Sequence, residues 1–81
     1  MSESEKKIYY DIIVKCWKTF SKERPFPEFS DDWWEHTISD FNIISAEYKN
    51  TDYADFAAEL VMQFLNEQER RKKRWVKSGT I

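Results

Sequence analysis

Asp32, His36 and Asp40 recur at i, i+4 and i+8, so on a helix an imidazole stands between two carboxylates on one exposed line. Such a trio could in principle catch a metal ion. With one histidine and one cysteine in the whole chain, however, no Cys/His ligand set can be assembled. A surface ladder of charges accounts for the three residues better. Cys16 falls on an apolar helical stripe, where a free thiol behaves as a small, inert hydrophobe. Asp31 and Asp32, adjacent at a helix start, suit the positive end of the helix dipole rather than an acid/base pair in a cleft. A single glycine leaves no loop to cradle phosphates. No catalytic residue, metal site or cofactor is expected, and the chain reads as non-enzymatic.

The run Arg70, Arg71, Lys72, Lys73, Arg74, followed by Trp75, is the other group with chemistry of its own. Cations beside an indole could contact phosphates and stack on a base. They also suit the C-terminal end of a helix, and short basic runs arise there without any ligand. Charge is sorted along the chain: residues 1–22 carry a net +2, residues 23–69 a net −10 and residues 70–81 a net +6. Lys15, Lys18 and Lys22 extend the basic group onto the first helix, with Asp31, Asp32 and Glu35 expected as its acidic neighbours. The overall charge of −2 and the acidic middle disfavour nucleic acid as the main partner.

These residues need three helices to position them. Ser2-x-x-Glu5 is a capping-box pattern, and Tyr9, Ile12, Ile13, Cys16 and Phe20 follow it on one face, with a second line of Tyr10, Val14 and Trp17 beside them. Pro25 and Pro27 end this helix near residue 23. Ser30 is a good N-cap for the second helix, with Phe29 and Trp34 spaced as a hydrophobic staple. Its expected inward face is Trp34, Thr37, Ile38, Phe41, Ile44, Ser45 and Tyr48; Trp33 falls at the margin and Ile43 points outward. Thr51 or Asp52 caps a third helix, whose apolar face runs from Tyr53 to Leu65. Gly79 is expected to help end it.

The expected fold is a single all-α domain, an up-down-up three-helix bundle, with helices over about 3–23, 31–48 and 52–76 and a tail over 77–81. The third helix should overhang by about two turns. No apolar run is long enough to span a membrane, no signal-peptide pattern is present, and a lone cysteine fits the reducing cytoplasm. Fourteen aromatic residues supply ample burial for a core, and Tyr10, Val14 and Trp17 on the first helix, with Val61, Met62 and Leu65 on the third, are expected as surplus to it. The function expected is therefore that of a small protein-interaction protein of accessory, adaptor or inhibitor type. Its contacts would be drawn from Tyr10, Trp17, Phe26, Trp33, Ile43 and Trp75, its partner being another protein or, in a homodimer, itself. The alternative is a nucleic-acid-binding accessory protein using Lys15, Lys18, Lys22 and Arg70–Arg74.

Overall fold

In the computed structural model, which describes residues 1–77, three helices account for most of the described residues: α1 (Glu3–Ser21), α2 (Asp31–Tyr48) and α3 (Ala54–Lys77). The expected end at Gly79 lies outside the described residues. Each start is set locally. The Ser2 hydroxyl accepts from the Glu5 amide at 3.1 Å, and the Ser30 hydroxyl accepts from the Trp33 amide at 3.2 Å, each satisfying a donor that the helix cannot. Thr51 joins the second turn to α3: its hydroxyl donates to the Tyr48 carbonyl at 2.6 Å and accepts from the Tyr53 amide at 3.1 Å. Phe29 and Asn50, both at φ 67°, reverse the chain before α2 and after it. The left-handed region suits asparagine and costs an aromatic residue more.

The three helices pack against one another around Ile12, Cys16, Phe41, Ile44, Ala57 and Val61, all buried. Burying each large aliphatic or aromatic member contributes roughly 1.5–3 kcal/mol relative to leaving it exposed. Aromatic rings are segregated by end. Tyr9 meets Tyr53 and Phe56 edge-on at 5.3 and 4.9 Å near the starts of α1 and α3. Phe29, Trp33, Trp34 and Trp75 gather at the other end, with centroids 5.0 to 6.2 Å from Phe29.

Several expected faces are rotated. On α2 the buried set is Trp33, Thr37, Phe41 and Ile44, so Trp33, expected at the margin, is only 4% exposed while Trp34 is half-buried and Ile38 is exposed. In this rotation Asp40 faces the loop and accepts from Arg24, on the same side of α2 as Trp33, and Phe29 enters the helix from a left-handed turn. On α1, Ile13 is exposed, and on α3 Val61 is buried rather than surplus. Helix α1 stops at Ser21, two residues short of the expected limit: Lys22 is extended, and Arg24 donates to the carbonyls of Thr19 and Lys22.

Candidate functional site

The residues singled out for acid/base or metal chemistry do not converge. His36 Nδ1 lies 2.8 Å from the Asp32 backbone carbonyl, and its ring lies tilted 4.5 Å from Phe26 rather than between two carboxylates. The Asp40 carboxylate turns the other way, accepting from Arg24 at 3.0 Å and Lys22 at 3.2 Å. Burial alone would raise its pKa, but these two hydrogen bonds outweigh burial and hold it below the ordinary 3.8. Cys16 is fully buried, and burial pushes its thiol up to about 11, away from the thiolate form that reacts. Among the described residues no group of three or more His, Cys, Asp or Glu side chains is placed to hold a metal ion.

A cleft of about 580 Å³ opens where the end of α1, the 22–28 connection and Arg71 meet, walled by Trp17, Phe20, Phe26, Trp33, Arg24 and Arg71. Both of its arginines are engaged by neighbouring groups. The Arg24 side chain is 2% exposed, lies 5.7 Å over the Trp33 ring, and spends its terminal nitrogens on Asp40 and the carbonyls of Thr19 and Lys22. Arg71 is ion-paired with Glu28, donates to Gln68 at 2.6 Å, and lies 5.8 and 5.4 Å over the Phe20 and Phe29 rings. Gln68, fully buried, in turn donates to the Phe20 carbonyl at 3.2 Å. Ser21, the hydroxyl lining the cleft, donates to the Trp17 carbonyl at 2.8 Å, so no nucleophile–base pair forms there.

The basic group is dispersed and largely engaged. Lys15 pairs with Glu47 and Tyr48 of α2, and the Glu47 hydrogen bond, then that of Tyr48, raises its pKa above the usual lysine range. Arg70 and Arg74 both hold Glu67, at 2.8 and 3.0 Å, and lower its pKa. Lys72 lies 6.0 Å over Trp34. The acidic partners are thus Glu28, Asp40, Glu47 and Glu67, not the expected Asp31, Asp32 and Glu35. Nor does the first part of the basic run overhang freely, because the 22–30 connection folds beneath it.

The exposed surface also carries large apolar side chains. Tyr10, Ile13 and Trp17 are 67%, 47% and 56% exposed, at i, i+3 and i+7 along one line of α1. Of the other candidate contacts, Ile43 is exposed on α2, and Phe26 is half-buried against His36. Trp75 is exposed but lies 5.8 Å from Phe29, and Trp33 is covered by Arg24. Sequence periodicity assigned Ile13 to the core and so missed the middle residue of this line; its i, i+3, i+7 spacing with Tyr10 and Trp17 was the available signal. No helix among the described residues is long and apolar enough to cross a membrane. No family model, curated protein or solved structure matches the chain.

Proposed function

We propose that the chain is a small non-enzymatic interaction protein that binds another protein through the Tyr10–Ile13–Trp17 line of α1. One observation carries this reading: three large apolar side chains, each about half exposed or more, are aligned on one helix face although the core beneath is complete. Aromatic rings presented in a row are the anchors by which helix faces are recognised. The reading is also supported by the cleft, whose charged groups are turned to one another and to the backbone instead of to an open reaction space. A single free, buried cysteine supports action in the cytoplasm.

The test is affinity capture from an extract of the source cell, with native protein and Trp17→Lys in parallel. Native protein should retain partners that Trp17→Lys loses while keeping native helical circular dichroism. Capture unchanged by the substitution would refute the reading.

A further inference from the structure

The exposed line belongs to a face wider than α1. Because Lys15 binds Glu47 and Tyr48, α2 lies along one flank of α1, and Tyr10, Ile13 and Trp17 project from the opposite flank, beside α3. Bordering them on α3, at i, i+4, i+7 and i+11, are Phe56, Leu60, Gln63 and Glu67, none of which is fully buried. The two helices run in the same direction and in one register. Tyr9 meets Tyr53 and Phe56 near their starts, and Phe20 meets Phe64 further on. Tyr10 is therefore level with Phe56, Ile13 with Leu60 and Trp17 with Gln63.

Charge frames this face unequally. Its border on α1 carries Lys7 and Lys18; its border on α3 carries Glu59 and, in the turn before the helix, Asp52. All four are exposed, and none takes part in an ion pair among the described residues. Lys7 is level with Asp52, and Lys18 lies between the levels of Glu59 and Glu67, within reach of its flexible stem.

We propose that a second copy of the chain covers this face, related to the first by a two-fold axis running parallel to the helices. Such an axis keeps the helix direction and exchanges the sides, so that α1 of each copy lies on α3 of the other. Tyr10 then meets Phe56, Ile13 meets Leu60, and each lysine border meets an acidic border, twice over. The other closed arrangement, with the axis across the helices, sets Lys7 against Lys18 and Glu59 against Glu59. Like charges in contact oppose it, so the framing charges select the parallel pair.

This inference rests on the reading of the α1 line as a binding face, and the test separates the two. Sedimentation equilibrium from micromolar to millimolar concentration should show a monomer–dimer equilibrium for the native chain. Lys7→Glu with Lys18→Glu should weaken it at least about tenfold, as should Asp52→Lys with Glu59→Lys. Mixing the two reversed chains in equal amounts should restore it, because both borders then face opposite charge. A native chain that stays monomeric, reversed chains that dimerise as well as the native one, or a mixture that fails to associate overturns the proposal. If the native chain is monomeric yet Trp17→Lys still loses a captured partner, the second copy is refuted and the binding face stands. If Trp17→Lys loses nothing, both are refuted.

Discussion

Truncating Arg24 to alanine removes an Asp40 ion pair, the hydrogen bonds to the Thr19 and Lys22 carbonyls at the end of α1 and the cover over Trp33 in one step. A side chain this buried leaves Asp40 and the carbonyls under-satisfied when it goes, and a loss of about 2–4 kcal/mol is expected, read as a fall in the urea midpoint. Thr37 should behave oppositely. Its hydroxyl is buried without a hydrogen-bond partner among the described residues, so the isosteric Thr37→Val removes a desolvated polar group and should gain about 1 kcal/mol in the same assay. Asp40 also sets an acid limit. Its folded pKa lies below the ordinary 3.8, so the folded state binds fewer protons than the unfolded chain just below that value. The stabilisation is complete above the ordinary value and is lost as pH falls through it towards the folded one. Asp40→Asn should therefore be less stable at neutral pH and show a shallower loss of stability below about pH 4, measured by urea titrations along a pH series.

At the scale of the elements, the helix ends are where local chemistry has the clearest measurable effect. Asn50 follows the end of α2 with φ 67°, a geometry that glycine adopts freely and β-branched residues resist. Asn50→Gly should leave stability within a few tenths of a kcal/mol or raise it, and Asn50→Val should cost about 1–2 kcal/mol by thermal or urea unfolding. Ends of this kind were legible in the sequence, because Ser2, Ser30, Thr51 and the two prolines act on their immediate neighbours. Helix rotation was not. Trp33 and Trp34 are adjacent and equally apolar, and the one that is buried lies under Arg24, which meets Asp40, sixteen residues away in sequence, across the loop. The same limit applies to the candidate surface: Tyr10 and Trp17 stood out as surplus, but Ile13 joins them only because α2 takes the other flank of α1.

For the whole molecule, the sorting of charge along the chain becomes local neutralisation in space. The strongly basic end of α3 is matched by Glu28 and Glu67, and α1 by Asp40 and Glu47. Phosphate binding would have to displace these contacts. Mixed-sequence DNA or RNA at low salt should accordingly show weak binding, without the steep salt dependence of a protein that neutralises many phosphates, in a fluorescence anisotropy titration. The end-to-end sorting of aromatic rings has a spectroscopic consequence. Trp33, Trp34 and Trp75 report on the end that Phe29 closes, whereas Tyr9 and Tyr53 report on the opposite end. Indole emission and phenol absorbance thus watch different halves of one bundle. If their denaturation curves separate, the two ends melt independently, and if they coincide, three helices and one small core unfold as a single cooperative unit.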